Sequence, residues 1–178
     1  NYLKYQERNE PMPVAIFIGH HPLFYAAAAT TAAYGLDEFS IAGGYLGEPV
    51  RLVKCETVDL EVPADAEIVL EGHIPPHYRE DEGPFSEFQD YYVTGPGKNP
   101  IVEYQYMTRR HDAIFKNLQN GSEMEGCVFH KVPMCAAIFR RLKNIGGGPN
   151  IHNVVALPGI FGLVVQMTPR AYGEAKNV

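Results

Sequence analysis

The placement of proline and glycine between residues 47 and 109 does most to restrict what this chain can become. Gly47-Glu48-Pro49, Pro63-Ala64-Asp65, Pro75-Pro76 and Gly95-Pro96-Gly97 divide the stretch into short pieces. Proline removes an amide donor and glycine relaxes the backbone, so such clusters are turns. The pieces between them are β-like. Val50 to Val62 is rich in β-branched residues, Ala66 to Ile74 follows, and Pro100 to Arg109 makes a third. Upstream, Pro13-Val14-Ala15-Ile16-Phe17-Ile18-Gly19 is an apolar run closed by glycine, the pattern of a buried strand. Several strands at short spacing with Gly/Pro turns predict an antiparallel barrel or sandwich.

Helical signals lie on both sides of this region. Tyr2 to Arg8 has the look of a helix tail, and the alanine-rich Leu23 to Ala33 predicts a helix with Pro22 at its first turn and Gly35 at its end. Leu36 opens a second short element reaching Leu46. His77 to Asp90 is acidic and irregular. The character changes after about Arg110. Asp112 to Leu118 is expected to be helical, and Asn120-Gly121-Ser122 a loop. Pro133 to Lys143 is expected to be an amphipathic helix stopped by Gly146-Gly147-Gly148. Ile151 to Leu157 and Gly162 to Met167 are strand candidates, and Pro169 starts another helix. The predicted class is α+β: an antiparallel barrel over residues 1–110, then part of an α/β layer over 111–178.

A net charge of −6, with no basic stripe, argues against a nucleic-acid partner. A hydrophobic content of 46% with 20% charged residues is ordinary for a globular protein, and no apolar run reaches membrane-spanning length. Three cysteines outside any CxxC pattern support neither a disulfide framework nor a zinc site, which makes a reducing, cytoplasmic setting the expectation. Both ends of the chain read as interrupted elements, as in an internal portion of a longer polypeptide.

Glu82-Gly83-Pro84-Phe85-Ser86-Glu87-Phe88 is the strongest candidate for chemistry. A Gly-Pro turn between two carboxylates lets both face one pocket. Nearby Tyr91 and Tyr92, with the phenylalanines, would exclude water and raise a carboxyl pKa until it can donate a proton. The competing reading is a solvated acidic loop. Other features favour plain structural roles. Adjacent His20 and His21 rarely share a metal ion and suit a strand-to-helix turn. The glycine triplet lacks a phosphate-loop pattern. Cys55 reads as a small buried residue rather than a nucleophile, and Glu38 taken alone as an acid at a helix start. Met124, Met134 and Met167 read as core filler.

Several blocks in one order then carry a resemblance. Leu52-Val53-Lys54-Cys55-Glu56-Thr57-Val58-Asp59-Leu60, Val62-Pro63-Ala64, Glu67-Ile68-Val69-Leu70-Glu71-Gly72 and Glu82-Gly83-Pro84-Phe85 with Glu87 and Tyr91 resemble the central region of the UbiD-type decarboxylases. Arg109-Arg110-His111-Asp112-Ala113-Ile114-Phe115 and Gly173-Glu174-Ala175-Lys176-Asn177 extend the likeness to essentially the whole chain.

The resemblance implies a split, flavin-binding β-barrel as the first domain. It also implies prenylated FMN as cofactor and reversible decarboxylation of an aromatic or α,β-unsaturated carboxylic acid. It assigns Glu87 as the acid that protonates the substrate carbon after CO2 leaves. Glu82 pairs with a catalytic arginine and holds the network's charge. Glu38 becomes a ligand to a divalent metal, Mn or Mg, with a monovalent cation such as K as a further cofactor. Phe88 lines the substrate pocket, and Ala29 and Thr30 pass the flavin phosphate, where relatives often carry serine. Ser86 stands where glycine is common. The catalytic arginine and the asparagine and histidine of the metal site are expected upstream of Asn1, and a phosphate-binding lysine beyond Val178. Homo-oligomers, dimeric or hexameric, and a flavin prenyltransferase as cofactor supplier are the implied partners. The alternative from another class is a non-catalytic structural subunit of a multi-subunit carboxylase.

Overall fold

The computed structural model describes residues 1–86, 91–92, 95–119, 123–145, 150–158 and 162–177, with the side chains of 123, 124 and 177 outside the description. The expected loop at Asn120-Gly121-Ser122 and the helix stop at Gly146-Gly147-Gly148 lie outside the described residues, as does the side chain of Met124. The chain forms two compact units. The first combines Asn1–His21, Pro49–Phe85 and Tyr92–Asn117, and the second combines Pro22–Glu48, Ser86–Tyr91 and Leu118–Val178.

In the first unit a short helix α1 (Tyr2–Glu7) precedes β1 (Met12–Ile18). Next come β2 (Leu52–Lys54), β3 (Glu61–Pro63), β4 (Ile68–Ile74), β5 (Arg79–Glu82), β6 (Gly97–Pro100) and β7 (Glu103–Arg109). Every pairing is antiparallel. β4 lies between β1 and β7, β2 pairs β3, and β5 pairs β6. These pairings give separate sheets of three, two and two strands, and barrel closure is not among them. The core gathers on one face of the larger sheet, where Val69 packs with Val62 and Ala66 against Ala15, Phe17 and Cys55.

Three expectations change here. Val50 to Val62 is not one strand. β2 and β3 form a hairpin with Leu52 opposite Pro63, and the intervening loop folds over the buried Glu71. The acidic stretch expected to be irregular contains an ordered strand, β5, paired with β6. Asp112 to Leu118 is not helical; its start is tied to β4 instead. The Arg110 amide donates to the Glu67 carbonyl (2.9 Å) and the Ile114 amide to the Glu67 carboxylate (3.1 Å), which lays the segment along the start of β4.

At Gly72 the β4–β7 ladder slips by one residue: Glu71 faces Tyr106, Gly72 faces Tyr104, and Gln105 is the extra residue of the bulge. A Cβ on residue 72 would sit 2.1 Å from the Glu103 carbonyl oxygen, so only glycine permits this approach.

The second unit holds α2 (Leu23–Ala28), α3 (Glu38–Leu46), α4 (Val128–Lys143), β8 (Asn150–Ala156) and β9 (Leu163–Thr168). α2 is shorter than expected, ending at Ala28. α3 is capped by Asp37, whose side chain accepts the Phe39 amide at 3.2 Å, and stops at Gly47 with φ 79°. α4 starts five residues earlier than proline placement predicts, after a π-helical turn at Glu123–Cys127, and accommodates Pro133 within it. Burial of Pro133 accompanies this departure from its helix-breaking tendency. Cys135, Ile138, Phe139 and Leu142 recur on one face of α4 and pack against Ile151, Val154, Val165 and Met167 of the β8–β9 pair. Met167 is core filler, as expected. Beyond β9, the predicted helix is a bend followed by a 3-10 turn, Glu174–Asn177, in which Glu174 accepts from the Arg170 amide and guanidinium.

Candidate active site

The candidate acid Glu82 is the last residue of β5, opposite Gly97 on β6. Gly97 has no side chain, so Asn99, two residues along on the same face, reaches across and donates its amide to the Glu82 carboxylate. On the other face Lys98 and Asp81 form an exposed ion pair at 2.8 Å. The β5–β6 pair therefore holds Glu82 directly before Gly83-Pro84 with an assigned partner. Phe85, Tyr91 and Tyr92 are exposed, at 51%, 59% and 67%. The water-excluding wall expected of them is not closed by the described residues. Glu87 and Phe88 lie outside the described residues, so the separation of the two carboxylates is not defined.

A second acid organises the same unit and was not singled out for chemistry by its sequence. Glu71 is 1% exposed. Its carboxylate accepts the amides of Glu56 (3.0 Å) and Thr57 (2.6 Å) and the Thr57 hydroxyl (2.7 Å). Burial pushes its pKa up. The Thr57 hydroxyl and the amides of Glu56, Thr57 and Val58 outweigh that, leaving the carboxyl below its ordinary range and ionised at neutral pH. Beside it, burial and then the negative charges of Glu71 and Glu56 push the Cys55 thiol up. That environment suppresses the thiolate and agrees with a structural cysteine.

His20 and His21 lie in the strand-to-helix turn between β1 and α2. The His20 Nδ1 accepts the His21 amide at 2.7 Å, and burial lowers the His20 pKa, partly opposed by Asp65. A ring nitrogen committed to a backbone amide fits the turn rather than a metal site.

Glu38 occupies the first turn of α3 and is exposed. Its carboxylate is the oxygen donor a hard divalent ion prefers, but no group of three His, Cys, Asp or Glu side chains suited to an ion occurs among the described residues. A coordination sphere is thus not assembled from them. Ala29 and Thr30 close α2. The Ala29 amide donates to the Tyr25 carbonyl and the Thr30 amide to the Ala27 carbonyl, each at 3.0 Å. The Thr30 hydroxyl donates to the Ala26 carbonyl at 2.7 Å. All their donors are used within the helix, so these two residues can pack beside a phosphate without supplying hydrogen bonds to it.

The second unit also contains a cleft of about 490 Å³ bounded by the end of α2, Tyr45 of α3 and the outer face of α4. Arg140 and Arg141 open onto it, residues not singled out from the sequence. A signal was available: no acid stands three or four residues from either arginine, so neither has a helical ion-pair partner.

Comparison with known proteins places these features in a family. Residues 1–123 match the UbiD model, described as 3-octaprenyl-4-hydroxybenzoate carboxy-lyase Rift-related domain. The chain belongs to the UbiD family. It is 36% identical over 178 residues to a phenolic acid decarboxylase of Bacillus subtilis (strain 168), covering 97% of this chain and 37% of that protein. Its fold is similar to an evolved dimeric form of the UbiD-class enzyme HmfF from Pelotomaculum thermopropionicum in complex with prFMN. That match has a TM-score of 0.91 and 35% identity, over 98% of this chain and 41% of the other. It is also similar to the open form of Sedimentibacter hydroxybenzoicus vanillic acid decarboxylase, ShVdcCD, with a TM-score of 0.86 and 33% identity over 99% of this chain and 38% of the other. The chain thus spans roughly two fifths of the length of these relatives. Among the described residues, no helix is long and apolar enough to cross a membrane.

Proposed function

We propose that the protein is a prenylated-FMN-dependent carboxy-lyase that removes CO2 from, or adds it to, an aromatic or α,β-unsaturated carboxylic acid. The observation that carries this reading is the EGPFSE motif in a UbiD-family chain, with Glu82 set at the end of a paired strand. The prFMN bound to its structural relative supports the cofactor. That cofactor supplies an electron sink for the charge left on carbon when CO2 departs, which no protein side chain can provide.

The chain's own residues orient groups and handle one proton. Glu87 delivers the proton to the substrate carbon, and Phe88 forms part of the pocket wall. Glu82, oriented by the Asn99 amide, holds the arginine of the network and balances its charge. Ala29 and Thr30 pack beside the cofactor phosphate, and Glu38 gives one oxygen ligand to Mn or Mg. No step is assigned to the metal or to a monovalent cation, because the described residues supply only that one ligand.

The same reading carries the rest of the family pattern. The strands of residues 1–110 belong to a split barrel, residues 111–178 continue into a further domain, and the protein is a cytoplasmic homo-oligomer supplied by a flavin prenyltransferase. The dimeric HmfF form and the ShVdcCD complex lend support to an assembly.

The test is a pair of variants. Glu87→Gln should retain bound flavin while abolishing turnover and solvent deuterium incorporation into product, and incorporation at the parent rate would exclude Glu87 as the proton donor. Glu38→Ala should lower metal and flavin content together, and an unchanged metal content by elemental analysis removes its assignment.

A further inference from the structure

We infer that the cleft in the second unit is a binding site for a phosphate-bearing small molecule, with Arg140 and Arg141 as its cationic pair. Its volume of about 490 Å³ is within the range of small-molecule pockets. Thr30, Thr31, Tyr45, Arg140, Arg141 and Asn144 supply its polar lining. No Asp or Glu among the described residues contributes to that lining, although the chain carries 21 acidic residues against 15 basic ones. Among the described residues neither guanidinium takes part in an ion pair.

Helix chemistry alone does not account for this arrangement. Cations in the last turn of a helix offset its dipole, and Lys143, stacked 4.7 Å from the Phe139 ring, already serves there. That role makes no demand on what faces the charges. Here they face hydroxyl and amide groups from α2, α3 and the end of α4.

The hydrogen-bond assignment separates donors from scaffold. The Thr30 hydroxyl spends its proton on the Ala26 carbonyl, so in its 2.8 Å contact with Tyr45 the tyrosine must donate. This closed pair ties α2 to α3 and fixes one wall. The donors left to a ligand are the Arg140 and Arg141 guanidiniums, the Thr31 hydroxyl and the Asn144 amide. Planar guanidinium forks match the oxygens of a phosphate monoester, and the small floor of Pro133, Ala136 and Ala137 leaves room for a carbon skeleton.

The test of this site does not depend on decarboxylation. Inorganic phosphate, FMN and phosphate-free riboflavin are titrated calorimetrically into the protein and into the Arg140→Gln/Arg141→Gln variant. Circular dichroism melts verify that the variant is folded. Phosphate should bind the parent and weaken by roughly tenfold or more in the variant. Thr31→Val should give a smaller loss in the same direction. If FMN, but not riboflavin, loses affinity in parallel and competes with phosphate, the cleft is only the cofactor's own phosphate end and the proposal of a further site falls. If phosphate depends on the arginines while FMN does not, the ligand is a separate phosphorylated compound. Absence of phosphate binding in the parent, or equal binding in the folded double variant, overturns the proposal.

Discussion

At the scale of single residues, Glu71 shows how one side chain sets local structure. A carboxylate at 1% exposure is costly unless its lone pairs are occupied, and here the Cys55–Leu60 loop occupies them. The direction of its pKa shift fixes a pH dependence. Because the folded carboxyl lies below its ordinary value of 4.5, its stabilisation is complete above that value and disappears as pH falls through the lower, folded-state value. Glu71→Gln should therefore cost about 2 kcal/mol near pH 7, the scale of hydrogen bonds to a charged group. In acid the parent and variant should converge. Urea midpoints followed downward from pH 7 measure this, and a gap independent of pH would contradict the assignment. Nothing in its local pattern marked Glu71, because an acid within a β-like run looks like any solvent-facing alternate position. By contrast, the role of His20 was legible, since it follows from its immediate neighbours in a strand-to-helix turn.

Among the elements, the central strand β4 depends on a backbone contact as much as on its side chains. Its neighbour β7 passes Gly72 so closely that a methyl group would meet the Glu103 carbonyl at 2.1 Å. The colliding atom is backbone and cannot rotate away. Gly72→Ala should destabilise the first unit by about 2 kcal/mol or more and open the bulge. Hydrogen exchange of the β7 amides, compared with those of β8 in the other unit, reads the effect locally. Equal protection of β7 in both proteins would show that the bulge relaxes without loss. Element boundaries were less legible than element existence. β1, β4, β8 and β9 were visible from apolar runs and flanking turn residues. The break between β2 and β3 was not visible, because a buried acid fifteen positions away causes it. The helix expected after Asp112 was likewise illegible, since contacts of Arg110 and Ile114 with Glu67, more than forty positions earlier, lay that segment along β4.

For the molecule as a whole, the apolar surface left uncovered on the first unit is the informative feature. On the β1–β4–β7 sheet, Ile16, Leu70 and Met107 are cross-strand neighbours on the face opposite the core, with Ile16 38% and Met107 56% exposed. Such a patch favours association. The purified chain should bind an apolar dye and sediment above 19.8 kDa, and Ile16→Thr/Met107→Thr should reduce both. A chain that sediments as a monomer and ignores the dye would rule this out.

The sequence by itself determined the mixed helix-and-sheet class, the main strands and the family, because these depend on local periodicity, turn chemistry and ordered motif blocks. It also located the EGPFSE turn. Only the tertiary structure decided that Glu82 ends a paired strand held by Asn99, that Glu71 is buried and ionised, and that Arg140 and Arg141 face a cleft to which no acid among the described residues contributes. Each of these depends on side chains distant in sequence meeting in space, and no local pattern encodes which partner a side chain will meet.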